Sequence, residues 1–165
     1  MHFANSNLLF GLLLALVGAS SAAHADMTRE TAYLAGIKGQ WSGSGSVRLL
    51  PGTPSVTVSC KLSGNAEAGG ANLNGQCSGF LLTTSVNAKV RYDGKTNSYS
   101  GSWSTSKNNA NLLGSRRAKG LSLVVSEPNQ PARLLTISLS HGGLVLVMTR
   151  MDDGAQVLKL ALHQS

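Results

Sequence analysis

The chain has 165 residues and a net charge of +7, from 14 Lys and Arg against 7 Asp and Glu. That length holds one domain with a modest core and excludes a large multidomain assembly. Aromatic residues are only 5% of the chain and 19 residues are Gly, yet recurring runs of Val, Leu and Ile argue against disorder.

The first 25 residues read as a separate unit. Residues 8–17 are apolar apart from Gly11, small residues follow, and Ala23-His24-Ala25 has the small-x-small form of a cleavage site. The run is too short to span a bilayer. A signal peptide over residues 1–25, cleaved after Ala25, is expected, although no Lys or Arg precedes its apolar run. Residues 26–165 then form a single domain, periplasmic or secreted. They carry every charged side chain and so the full net charge. No Cys lies near Ala25 to hold a lipid, and no later run is long and apolar enough for a transmembrane helix.

Residues 27–37 are the one predicted helix, stopped by Gly36 and Gly39. It is short enough to lie across a barrel mouth or edge. Residues 41–50 alternate strictly. Trp41, Gly43, Gly45, Val47 and Leu49 fall on one side, and Ser42, Ser44, Ser46 and Arg48 on the other. That is a strand with one buried face. Pro51-Gly52-Thr53-Pro54 is turn chemistry. A second strand over 55–63 turns Val56, Val58, Cys60 and Leu62 inward, and a third over 71–79 turns Leu73 and Cys77 inward. A fourth over 82–92 turns Thr84, Val86, Ala88, Val90 and Tyr92 inward.

Asp93-Gly94 predicts a two-residue hairpin. Its register pairs Tyr92 with Lys95, Ala88 with Tyr99, Val86 with Gly101 and Thr84 with Trp103. A polar loop over 104–110 precedes a weaker strand over 111–117. The next strands carry Leu121, Leu123 and Val125, then Leu135, Ile137 and Leu139. A three-residue turn at His141-Gly142-Gly143 predicts Val145 and Val147 on the inner face. A turn at Asp153-Gly154 sets Thr149, Val147 and Val145 opposite Leu158, Leu160 and Leu162. Leu144, Leu146 and Met148 are apolar too, so this strand is a candidate for cover on both faces. Eight to ten short strands without βαβ spacing leave a sandwich or an up-and-down antiparallel β-barrel. Closure removes exposed edges, so the barrel is expected.

Cys60 and Cys77 are the only cysteines and fall on the inner faces of adjacent predicted strands. In an exported chain they read as a structural disulfide. Closing a loop of about 16 residues contributes roughly 3 kcal/mol in the chain-entropy picture. There is no Cys-x-x-Cys to suggest a redox pair.

Gly39-Gln40-Trp41, after a short helix, resembles the Gly-x-Trp that opens the calycins, the lipocalin and avidin barrels, where the Trp plugs the closed end. The resemblance implies plug roles for Trp41 and for Trp103 in Ser100-Gly101-Ser102-Trp103. It also implies that Arg48 or Arg150 caps a barrel end by bonding carbonyls or stacking on Trp41, with plain surface exposure as the other reading of both. Residues 35–45 followed by a Cys pair look like the small periplasmic barrels that inhibit secreted metalloproteases through a mobile N-terminal arm. The whole pattern, with Trp-Ser-Gly-Ser-Gly-Ser-Val-Arg, two Cys and Gly-Ser-Trp-Ser, is similar to small exported proteobacterial β-barrel proteins of unsettled function. That resemblance implies architecture and address, not activity.

Catalytic material is scarce. The acidic residues are Asp26, Glu30, Glu67, Asp93, Glu127, Asp152 and Asp153, and none sits on a predicted inner face, where a glycosidase-type acid would need to be. Asp152 and Asp153 read as a solvated hairpin tip. His141 and His163 lack metal-ligand spacing. Ser104-Thr105-Ser106-Lys107 fits Ser-x-x-Lys, but in a loop rather than on a helical turn. No catalytic, metal or cofactor site is therefore expected. Arg116, Arg117 and Lys119 form the one basic cluster and are candidate anion contacts. Their candidate partners are an acidic glycan, an envelope component or a protein. Nucleic acid is set aside because the address is wrong and no aromatic platform is visible. The expected function is an exported, non-catalytic binding or envelope-associated barrel. The alternative is a protease inhibitor acting through residues 26–31. Inward Ala, Gly, Val and Leu suit a filled barrel and a hollow one equally.

Overall fold

A computed structural model describes residues 18–165 apart from 49, 51, 80, 81 and 119, with residues 18–25 and 82 described along the backbone alone. Helix α1 (Gly18–Ala35) leads into β1 (Gly39–Val47), β2 (Val56–Glu67), β3 (Gly70–Gly79), β4 (Leu82–Asp93) and β5 (Ser98–Thr105). Then come β6 (Asn109–Arg117), β7 (Gly120–Ser126), β8 (Arg133–Ser140), β9 (Gly143–Arg150) and β10 (Gln156–Gln164). Each strand pairs antiparallel with its sequence neighbours, and β1 pairs with β10 to close the ring. The expected up-and-down barrel is the fold. The predicted helix is longer than expected at its front, because the Ala- and Ser-rich residues before position 27 continue it. It ends at Ala35, where Ile37 N donates to Leu34 O at 2.9 Å.

Period-two alternation sets the core. Trp41, Val58, Leu62, Leu73, Val86, Tyr99 and Trp103 are all buried, as their positions predicted. Cys60 and Cys77 are Cα partners on β2 and β3 and are joined by a disulfide. The rings alternate with small neighbours across the strands. Trp103 lies between Ala88 and Ala110, and Tyr99 has Gly114 on one side. Among the described residues the interior is closely packed: the apolar cavity among Ile37, Leu73, Trp103, Leu112 and Leu146 measures about 20 Å³, room for one water and no ligand.

Two glycines on β1 make the closure possible. A Cβ at Gly43 would lie 2.1 Å from Ala161 O, and one at Gly45 would lie 1.9 Å from Lys159 O. Only a residue without a side chain lets the β10 backbone approach this closely.

Three registers differ from expectation. The hairpin after β4 closes at Asp93↔Ser98, pairing Tyr92 with Tyr99, Val90 with Gly101 and Ala88 with Trp103. Its loop is the longer run 94–97. Asn97 takes a positive φ of 50° there, and its Oδ1 accepts the Tyr92 hydroxyl at 2.9 Å. The slip is an even number of residues, so the buried faces are unchanged. The turn before β9 is not a three-residue one. Ser140 pairs with Gly143 around His141 and Gly142, the latter at φ 69°. Leu144, Leu146 and Met148 therefore point inward, while Val145 and Val147 are only partly covered on the outer wall. The β9–β10 register differs too: Leu158, Leu160 and Leu162 pair with Met148, Leu146 and Leu144 rather than with Thr149, Val147 and Val145, because a shift between Gln156 and Leu158 keeps Leu160 and Leu162 in the interior.

Replacing Cys60 and Cys77 together by Ala is expected to lower unfolding free energy by about 3 kcal/mol, read from urea denaturation of the oxidised protein and the variant. Gly45→Ala is expected to cost about 2 kcal/mol or more by forcing β1 from β10, with hydrogen exchange speeding first at residues 41–47.

Candidate functional site

The two ends of the barrel differ. At one end, α1 crosses the mouth. Leu34 and Ile37 are buried against the core, and Trp41 Nε1 donates to Ile37 O at 2.8 Å. Tyr33 reaches the far rim. Its hydroxyl donates to Ile137 O at 3.1 Å and accepts from Leu121 N at 3.2 Å. Thr31 Oγ1 accepts from Gly69 N at 3.1 Å.

On the same face of α1, one turn before Leu34, Glu30 is driven into the rim and is only 2% exposed. Tyr99 OH donates to its Oε2 at 2.6 Å. Arg116 Nε lies 3.0 Å from Oε1 and 2.8 Å from Oε2, and Arg29 Nε lies 3.2 Å from Oε1. The Arg116 guanidinium also covers the Tyr33 ring at 5.2 Å. Burial alone would raise the Glu30 carboxyl pKa. The hydrogen bonds from Tyr99, Arg116 and Arg29, with the Arg116 charge, outweigh it and hold the group below the usual carboxylate range. Burial and the adjacent carboxylate push the Tyr99 phenol well above its ordinary value. A cleft of about 500 Å³ opens beside this cluster, with Arg29, Asn97 and Arg117 on its walls.

These residue types could do acid–base chemistry, but the placement favours a latch. Tyr99 is 1% exposed and Glu30 2%, and both meet the cleft only at its inner wall, beside Arg116. The expectation that no acid faces inward is corrected here: Glu30 is buried on the helix, a face the strand alternation did not cover. The expected inhibitory arm, residues 26–31, is instead part of this docked helix.

The opposite end is rich in arginine. Arg48, Arg133 and Arg150 line a cleft of about 220 Å³ there. Arg150 pairs with Asp152 and Asp153, so this hairpin tip is ion-paired rather than merely solvated. Glu127 pairs with Arg133, and its side chain is 7% exposed. Trp41 and Arg48 lie at opposite ends of β1, roughly 20 Å apart at the usual rise per residue, and Arg150 is at the Arg48 end too. Neither Arg can stack on Trp41. Trp103 is buried against Ala88 and Ala110. The plug of the closed end is α1, which Trp41 supports.

The basic cluster is split. Arg116 turns in to Glu30, Arg117 is exposed on the rim, and Lys119 lies outside the described residues. The expected signal peptide also falls mostly outside them. No helix among the described residues is long and apolar enough to cross a membrane. The outer wall of β2 to β5 carries Lys61, Asn65, Lys89, Arg91 and Ser102, where a lipid-facing barrel wall would carry an apolar band.

No family model matches the chain, and no curated protein matches it. Among solved structures it is similar to the crystal structure of Rv2717c from M. tuberculosis. That structure has a TM-score of 0.64 and 13% sequence identity, covering 82% of this chain and 97% of the other. The likeness is one of fold.

Because folding lowers the Glu30 pKa, its stabilisation is complete above the unfolded carboxylate value of about 4.3 and fades as pH falls toward the folded value. Glu30→Gln is expected to cost about 2 kcal/mol at neutral pH. It should also flatten the loss of stability below about pH 4, measured by urea unfolding across pH.

Proposed function

We propose that this is an exported, non-catalytic binding protein, delivered after cleavage at Ala25, whose partner is an anionic envelope component or acidic glycan met on the outside of the barrel. The disulfide supports an oxidising address. The filled interior argues for contact at the surface rather than carriage inside.

One observation carries the reading. All seven acidic side chains are already engaged within the molecule. Asp26, Glu30, Glu67, Glu127, Asp152 and Asp153 are ion-paired, and Asp93 accepts Lys95 N at 2.8 Å in its own turn. By contrast Lys61, Lys89, Lys107, Arg117 and Lys159 are exposed and make no ion pair among the described residues. The surplus charge therefore faces outward, where it attracts polyanions over a screening distance of about 10 Å at moderate salt. Lys89 and Arg91 lie along an outer groove of about 550 Å³ with Asn65, Asn72 and Ser102, hydrogen-bonding groups suited to sugar hydroxyls.

The protein is expected to be retained on an immobilised acidic polysaccharide at low salt and released as salt rises. Passage straight through the column at low salt would overturn the reading. A double Lys61→Gln, Lys89→Gln variant should elute earlier with its thermal midpoint unchanged.

A further inference from the structure

The end of the barrel opposite α1 holds charges that the latch and the outer wall do not use. Arg133 begins β8 and Arg150 ends β9, and the two are Cα partners. Arg133 shares the inward side of Leu135 and Arg150 that of Met148, so both forks are directed to the barrel mouth. Like charges set opposite across a strand pair repel. Glu127 answers one, and Asp152 and Asp153 the other, all from neighbouring turns. Arg48 lines the same cleft and has no carboxylate partner among the described residues.

The cleft has a fixed frame. Arg48 N donates to Val157 O at 2.9 Å, Arg150 N to Ala155 O at 2.9 Å and Met151 N to Ala132 O at 3.0 Å. Gln130, Pro131 and Val157 also line it, as does Asp153, whose charge is taken up by Arg150. On these cleft-lining residues, Nε of Arg48 and Nε of Arg133 are buried and have no hydrogen-bond partner among the described residues. A buried donor left unpaired is costly, and few persist in native structures without a reason. Two such donors on guanidinium groups that share one cleft point to a common acceptor.

We propose that this cleft is an oxyanion site that takes a single carboxylate, sulfate or phosphate group. Arg48 supplies the uncompensated charge, and Arg133 and Arg150 flank it. A guanidinium presents a planar fork that matches such groups in paired hydrogen bonds. At about 220 Å³ the cleft is smaller than a typical organic-ligand pocket, so it accepts one acidic sugar or a chain end, not an internal stretch of polymer. The inference rests on the reading of the protein as a binder of anionic ligands and assigns that ligand's acid group a place.

The test uses the mature chain labelled with ¹⁵N, following the arginine Nε–H signals as glucuronate, inorganic phosphate or glucose is added. The Arg48 and Arg133 signals should move with glucuronate and stay still with glucose. Arg48→Gln should weaken the response about tenfold, the loss of one charge-assisted hydrogen bond, and Lys61→Gln should leave it unchanged. Arg48→Lys, which keeps the charge but not the fork, should weaken it too and serves if the Gln variant does not fold. An equal or stronger response to phosphate supports the site and makes the free ion its ligand. Silence toward both anions, or an equal response to glucose, overturns the inference. Retention on the polysaccharide column with silent arginine signals would remove this cleft alone and leave the wider reading in place. A shift without retention would keep the cleft and remove that reading.

Discussion

The pairing of β1 with β10 is the constraint on which the other contacts depend. An open sheet of these Ser- and Val-rich strands would leave two unpaired edges. Closure satisfies them and makes one side of every strand an interior. It requires two backbones to approach more closely than side chains allow, and Gly43 and Gly45 supply that approach. The seam is tied again at its end, where Ser42 Oγ and Ser165 Oγ lie 2.8 Å apart.

Once the ring is closed, the interior and the two ends face different demands. The interior is solved by size: large rings sit beside Ala and Gly, and almost no void remains. The α1 end is solved by an apolar plug with one buried charge held by a phenol and a guanidinium. That arrangement is specific because an unpaired Glu30 in that position would be strongly unfavourable. At the far end, the charges of Arg48, Arg133 and Arg150 meet across a cleft. Recognition is left to surfaces and rims, which is where the uncompensated lysines and arginines are.

Much of the barrel was legible because a two-residue period leaves little freedom. Val86, Tyr99 and Trp103 had to share a side with Trp41 and the cysteines for any closed sheet to form. Register was less legible, because turn chemistry and parity act separately. Asp93-Gly94 does mark the turn, but the Tyr92–Asn97 hydrogen bond lengthens it by residues that sequence spacing cannot weigh. At His141-Gly142 a turn one residue shorter than expected reverses β9. There Val and Leu alternate, both faces look apolar, and hydropathy offers no choice between them. Glu30 was missed for a related reason: the helix was read for its length and its stop, not for its buried stripe. The signal was present. Glu30 stands one turn before Leu34 in the one predicted helix, and Arg116 continues the inward series Ala110, Leu112, Gly114. An acid and a base, each on a buried face of a different element, fit best as partners.

The long reach of these contacts governs how the molecule comes into being. Glu30 waits 69 residues for Tyr99 and 86 for Arg116, and Ser42 waits 123 for Ser165. A chain emerging from its first residue onward therefore carries an undocked helix and a bare β1 edge until nearly all of it has appeared. Loop-closure entropy makes such a topology slow to fold, and in that interval the edge is open to pairing with another chain. The last strand acts as the keystone of assembly, so a truncation of only a few C-terminal residues would leave a ladder without its closing rung rather than a slightly smaller barrel.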